Sequence, residues 1–245
     1  MRSRMARRPL LTAVLLGLIA TAVGIFICLQ IDWFPVQAST KAHEIDTLYD
    51  VLLIVSVPIF VLVMGVILYS VAMFRAKPGD LSDGAPIHGN TRLEVIWVTI
   101  PFLIVSGLSV YGWIVLNSIE AKGSPADTLV INVRGQQFAW NFTYPGEGKV
   151  KTNSLVLPEN RPVEFRINTD DVLHDFWVPA FRVKSDAVPG LTTHIRATPN
   201  RIGTYPVVCA ELCGLGHSTM RSRVQVVAPA KFDAWIASKK KGGSQ

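Results

Sequence analysis

A chain of 245 residues with 49% hydrophobic side chains and a mean hydropathy of +0.34 is too apolar for an ordinary water-soluble domain, so membrane spans are sought first. The net charge of +6 gathers largely at the two ends, in Arg2, Arg4, Arg7 and Arg8 and in Lys239-Lys240-Lys241. No aromatic–basic interleaving accompanies it, which argues against nucleic acid as a partner.

In chain order, the first apolar run is Leu10–Ile31, followed by Tyr49–Phe74 and Val95–Leu116. Each is long enough to cross the hydrocarbon of a bilayer, which takes about 20 apolar residues. The first and third carry no Asp, Glu, Lys or Arg, and the second only Asp50 at its edge. The N-terminal arginines belong on the cytoplasmic side, which sends the first span outward. The second span returns, Arg75, Lys77 and Arg92 mark a cytoplasmic loop, and the third exits again. Residues after about Asn117 are then outside. The first run is read as an extra transmembrane helix or signal anchor over residues 1–31. It is too long for the apolar core of a cleaved signal, and Asp32-Trp33-Phe34-Pro35 separates it from the cleavage-like Val36-Gln37-Ala38. Residues 32–122 form a transmembrane hairpin.

From Asp127 the pattern changes to short alternating runs punctuated by turn residues, the pattern of an antiparallel β sandwich. The expected strands are Thr128–Val133, Gln137–Tyr144, Ser154–Leu157, Val163–Asn168, Phe176–Val178, His194–Thr198, Thr204–Cys209 and Arg221–Val227. Alternation in Val163-Glu164-Phe165-Arg166-Ile167 puts Val163, Phe165 and Ile167 on one buried face. The outer domain is placed at 123–235, and residues 236–245 read as a basic disordered tail.

Within that domain, Cys209, Glu211, Cys213, His217 and Met220 crowd into twelve residues, and His174 precedes them. Thiolate and thioether sulfur favour Cu(I), and imidazole accepts both copper states, so the donors indicate copper and electron transfer. Other readings stand beside this one. A Cys-x₃-Cys pair outside the cytoplasm can be a disulfide, and two Cys with two His can hold structural zinc, which gains little from Met220.

The spacing Cys-x₃-Cys-x₃-His-x₂-Met with His174 upstream resembles the CuA site of the subunit II family of haem–copper cytochrome c oxidases. The blocks Asp171-Val172-Leu173-His174, Lys184-Ser185-Asp186-Ala187-Val188-Pro189-Gly190 and Leu93-Glu94-Val95-Ile96-Trp97 resemble it too. The likeness runs from about Ile45 to Trp235. It implies a membrane-anchored chain whose two or three helices precede a cupredoxin-like Greek-key sandwich. It also implies a dinuclear copper centre held by His174, Cys209, Cys213, His217, Met220 and the carbonyl of Glu211, with Mg²⁺ or Mn²⁺ bound through the Glu211 carboxylate. Such a chain takes electrons from a cytochrome c type donor and passes them to haem in subunit I, with subunit III as a further partner, in a bacterial-type cell membrane. Oxygen reduction belongs to subunit I, since five His in this chain provide no haem pair and no oxygen site. A quinol-oxidising relative and a copper-storage or delivery protein are the alternatives.

Two further roles follow from the resemblance. Glu94 implies a proton-uptake carboxylate, although a carboxylate at the start of a helix also serves as an ordinary N-terminal charge. Phe138 stands where the family's electron-accepting Trp is expected, Ala139 replaces an aromatic, and Trp140 is kept, so the route for incoming electrons departs from the pattern. Asp170, Asp171 and Asp175 read either as an acidic patch that steers a basic cytochrome or as a solvated loop.

Overall fold

The computed structural model describes residues 2–76, 78–79, 84, 86, 88–120 and 127–242. The expected domain boundary at 122/123, the loop cation Lys77 and residues 243–245 of the expected tail lie outside them. Two compact units emerge: one made of the chain up to Asp32 together with Thr47–Ile114, the other of Trp33–Asp46 with Val115–Gln245.

The first unit is helical. Helices α1 (Arg2–Gln30), α2 (Ala42–Met73) and α3 (Thr91–Glu120) contain three candidate spans, with mean hydropathies of 2.5, 3.1 and 2.0. α2 and α3 outrun the apolar runs because their first turns are polar but well satisfied. Asn90 caps α3 by accepting from the Leu93 N–H, and Glu94 reaches back to the Asn90 N–H at 3.3 Å. Pro58 and Pro101 lie inside α2 and α3, a placement that spanning helices tolerate.

The second unit is a two-sheet sandwich of ten strands. β1 (Leu129–Gln136), β2 (Ala139–Tyr144), β3 (Val150–Thr152), β5 (Val163–Thr169) and β8 (Thr193–Ala197) form one sheet in the order β3-β2-β1-β5-β8. β4 (Leu155–Pro158), β6 (His174–Val178), β7 (Val183–Ala187), β9 (Gly203–Cys209) and β10 (Arg221–Val227) form the other, in the order β4-β10-β9-β6-β7. The expected cupredoxin-like sandwich is present, but it is not wholly antiparallel: β1 pairs with β5, and β4 with β10, in parallel. Those partners lie far apart in sequence, and strand direction across such a crossover is invisible to local alternation. β3 and β7 were not expected. β3 has three residues, and Val183-Lys184-Ser185-Asp186-Ala187 is largely polar with only its ends buried.

Val163, Phe165 and Ile167 are fully buried, as their alternation requires. With Ile131, Trp140, Phe142, Leu155, Phe176 and Val207 they fill the space between the sheets, each large side chain contributing roughly 1.5–3 kcal/mol by leaving water. The Tyr144 hydroxyl ties the sheets together from within: it donates to the Val156 carbonyl at 2.9 Å and accepts from the Val156 N–H at 2.8 Å.

Two expectations are corrected. Residues 33–46 do not belong to the hairpin but are stitched to the sandwich. Ala38 N–H donates to Ala180 O, Thr40 N–H to Thr198 O and Asn200 N–H to Ala38 O, and the Arg182 guanidinium clasps Asp46 at 2.7 and 2.8 Å. Residues 236–242 are not a disordered tail, because helix α4 (Pro229–Gly242) runs through Lys239–Lys241. Phe232 and Ile236 are buried, Trp235 meets Tyr144 edge-on at 5.4 Å, and three lysines in the last turn suit the negative end of a helix.

Candidate metal centre

Strand register brings the distant candidate donor, His174, together with the cluster. β6 and β9 pair antiparallel with Phe176 opposite Cys209, and the Ala210 N–H donates to the Asp175 carbonyl at 3.1 Å. His174 therefore opens β6 beside the loop that leaves β9. That loop closes on itself: Cys209 N–H donates to Met220 O, His217 N–H to Gly214 O and Met220 N–H to His217 O, each at 3.0–3.1 Å. A one-turn 3-10 segment, His217–Thr219, and Gly214 at φ +128°, a backbone conformation natural only to glycine, make the reversal possible.

All six expected donors converge. The two thiol sulfurs lie 3.9 Å apart and are not bonded to each other. Around Cys209 Sγ stand His174 Nδ1 at 3.9 Å and the Glu211 carbonyl at 3.3 Å. Around Cys213 Sγ stand His217 Nδ1 at 3.6 Å and Met220 Sδ at 3.8 Å. His174 and Met220 are fully buried, and Cys213 and Cys209 nearly so. Two sulfurs, each flanked by an imidazole and a weaker donor, make a soft, water-poor cage that fits copper. The Met220 thioether adds little for zinc. Burial first, then the neighbouring Cys209 thiol, push the Cys213 thiol up to about 11.

Sequence reasoning missed the support around this cage. Asp171 Oδ1 accepts from His174 Nε2 at 2.8 Å and from the Val172 N–H at 2.7 Å, and Oδ2 accepts from the Gln137 N–H at 2.7 Å. Burial would raise this carboxyl, but the donors from Gln137, His174, Val172 and Thr169 outweigh it and hold it well below the usual range. A carboxylate on the far nitrogen fixes the tautomer and aim of a metal-facing imidazole. The three-residue offset from Asp171 to His174 was the available signal. Gln137 Nε2–H also donates to the Cys213 carbonyl at 2.6 Å.

The aromatic pair divides its positions. Trp140 is buried, with its ring 6.0 Å from that of His174 at a 64° angle. Phe138 is 37% exposed and lies across the ligand loop, its ring about 3.3 Å from where a Cβ on Gly214 would sit. The acidic residues do not form a free patch. Asp170 is held by both arms of Arg134, Asp171 is saturated, and Asp175 is buried with Oδ1 unpartnered. Burial and then Asp186 push Asp175 up to about 6. The Glu211 side chain is exposed. Glu94 lies in the first turn of α3, engaged with its cap.

Two family profiles match the chain: "Cytochrome C oxidase subunit II, transmembrane domain" over residues 27–115 and "Cytochrome C oxidase subunit II, periplasmic domain" over residues 149–227. Cytochrome c oxidase subunit 2 of Thermostichus vulcanus is 34% identical, over 89% of this chain and 82% of its own length. The Synechocystis protein of the same description is 30% identical, over 92% and 81%. The periplasmic domain of subunit II of the Bradyrhizobium japonicum oxidase (CoxB) is 31% identical, covering 46% of this chain and 94% of that domain with a TM-score of 0.45.

Proposed function

The chain belongs to the cytochrome c oxidase subunit II family, and on that premise we propose that His174, Cys209, the Glu211 carbonyl, Cys213, His217 and Met220 together hold its dinuclear copper centre. It is an electron-relaying subunit of a haem–copper oxidoreductase complex, a membrane protein with its C-terminal domain outside. When bound, the copper pair supplies a one-electron acceptor and donor. The observation that carries the reading is the convergence of all six donors around two sulfurs 3.9 Å apart.

The chain's own residues do the rest. Cys209 and Cys213 lose their protons to become ligands, and the sandwich keeps their surroundings nearly dry. Asp171 holds His174 so that Nδ1 faces the sulfurs, which limits rearrangement when charge arrives or leaves. Electrons from a cytochrome c type donor arrive over Phe138 and pass inward toward haem in subunit I, with Trp140 filling the space behind His174. The exposed Glu211 carboxylate, a hard donor, contributes to an Mg²⁺ or Mn²⁺ site at the junction with subunit I. Glu94 adds a proton-uptake role to its capping role, subunit III completes the assembly, and the membrane is a bacterial-type cell membrane.

Purification of the complex from membranes with metal analysis tests the reading. Three coppers per complex, two in this chain and one in subunit I, a seven-line hyperfine signal that disappears on reduction, and a co-purifying haem protein are expected, and Cys209→Ser should abolish the signal. A wild-type complex with two coppers or fewer would overturn the assignment. For Glu94→Ala, slowed turnover at unchanged copper content is expected, and unchanged turnover removes the proton role.

A further inference from the structure

We infer that Gln137, in the turn between β1 and β2, is a positioning residue for the copper pair: it cross-braces the His174 side of the cage to the Cys213 side while supplying no ligand of its own. This rests on the copper assignment proposed above and adds a residue that the donor set does not contain.

The two sides of the cage come from distant stretches of chain, and Gln137 reaches both. Its main-chain N–H donates to Asp171 Oδ2 at 2.7 Å, on the carboxylate that also holds His174 Nε2. Its side-chain Nε2–H donates to the Cys213 carbonyl at 2.6 Å, 76 residues further along the chain. A carbonyl oxygen only accepts, so the NH₂ end of the side-chain amide is the end that faces it. The ligand loop is shaped for this reach. A Cβ on Gly214 would stand 2.9 Å from Gln137 Nε2, closer than real Cβ atoms come, and one on Gly216 would collide with the Phe138 ring. Glycine at both positions lets the turn lie directly on the loop.

The bond acts on a sulfur. Cys213 Sγ has His217 Nδ1 at 3.6 Å, Met220 Sδ at 3.8 Å and Cys209 Sγ at 3.9 Å. Pinning the Cys213 carbonyl fixes the peptide plane that follows its Cα, which limits how far Sγ can drift from those three partners. The main chain of the same residue meets Asp171, so a shift of either side of the cage is passed to the other through one short turn. Hydrogen bonds behind the donor atoms set the aim of those atoms, and losing one costs about tenfold to hundredfold in metal affinity. Gln137 is exposed, so water takes over part of the lost bond and the low end of that range applies.

The test compares variants of the intact oxidase complex by copper hyperfine splitting and by copper retention against a graded chelator series. Gln137→Met keeps the side chain's length and the main-chain N–H but removes the amide donor. It should alter the splitting and lower retention by about tenfold. Gln137→Glu, of the same shape, sets an acceptor against the Cys213 carbonyl and should alter the splitting as well. Gln136→Met, at the exposed residue just before, is the control and should match the wild type in both measurements. Combined with Asp171→Asn, Gln137→Met should cost less than the product of the two separate losses, because the brace is already cut at one end. An unchanged splitting in Gln137→Met, whatever its stability or copper retention, assigns the bond to the fold alone and overturns the proposal. Losses that simply multiply in the double variant, or a Gln136→Met control as impaired as Gln137→Met, overturn it too. Absence of the seven-line signal from the wild-type complex would instead sink the copper assignment beneath it.

Discussion

Replacing Asp171 by Asn probes the contact that aims His174. Three of the four donors on this carboxylate converge on Oδ1: His174 Nε2 at 2.8 Å, the Val172 N–H at 2.7 Å and the Thr169 hydroxyl at 3.1 Å. The fourth, the Gln137 N–H, meets Oδ2 at 2.7 Å. An asparagine keeps one acceptor oxygen. Placing it on the crowded side leaves its amide NH₂ facing the Gln137 N–H, donor against donor, and the bonds that remain lose their charge. A charge-assisted hydrogen bond is worth about 1.5–3 kcal/mol and a neutral one about 0.5–1.5 kcal/mol. The Asp171 side chain keeps 27% of its exposure, so water recovers part of the difference. We expect a loss of about 1–2 kcal/mol in domain stability and a tenfold to hundredfold drop in copper affinity, the usual range for losing such support. Thermal unfolding and copper retention against a graded chelator series measure the two, with Asp170→Asn as a control that should hold copper normally. Undiminished copper retention in Asp171→Asn would refute the idea that this carboxylate positions the ligand.

Gly135→Ala would put a methyl group 3.1 Å from His174 Cδ2 and 3.2 Å from Trp140 Cζ3. Shifting both rings should cost about 1–3 kcal/mol and alter the copper absorption spectrum; an identical spectrum and Tm would show that the site has slack. Copper loading of the apoprotein should strengthen as pH rises, because the Cys213 thiol is pushed up to about 11 and must lose its proton to bind. The slope should be about tenfold per pH unit for each proton displaced, measured by competition titration, and a flat profile would contradict it. Glu164 yields a stability profile. Burial raises its carboxyl, but Arg196, Arg166 and His194 together bring it down from 4.5 to about 2. Because the folded value lies below the unfolded one, its contribution is complete above about pH 4.5 and disappears as pH falls toward 2. Denaturation midpoints should decline through that window in the wild type and decline less in Glu164→Gln.

The membrane spans and the clustering of the donor side chains were legible in the sequence for one reason: each is a local signal. A helix crossing lipid must be apolar along its whole length, and Cys209, Glu211, Cys213, His217 and Met220 share a single loop, so their spacing carries their chemistry. The buried face of β5 was legible through its period of two. Tertiary structure alone decided what depends on partners distant in the chain. The β6–β9 register set His174 beside Cys209, and the parallel β1–β5 and β4–β10 pairs set strand direction. Residues 33–46 and α4 joined the sandwich through Ala180, Thr198, Arg182 and Tyr144, none of which is a sequence neighbour. Three acidic residues that look alike in the sequence received three fates, Asp170 in an ion pair, Asp171 behind His174 and Asp175 in the core. A side chain's charge is a property of the residue, but whether that charge faces water, a guanidinium or an imidazole is fixed only when the sheets close around it.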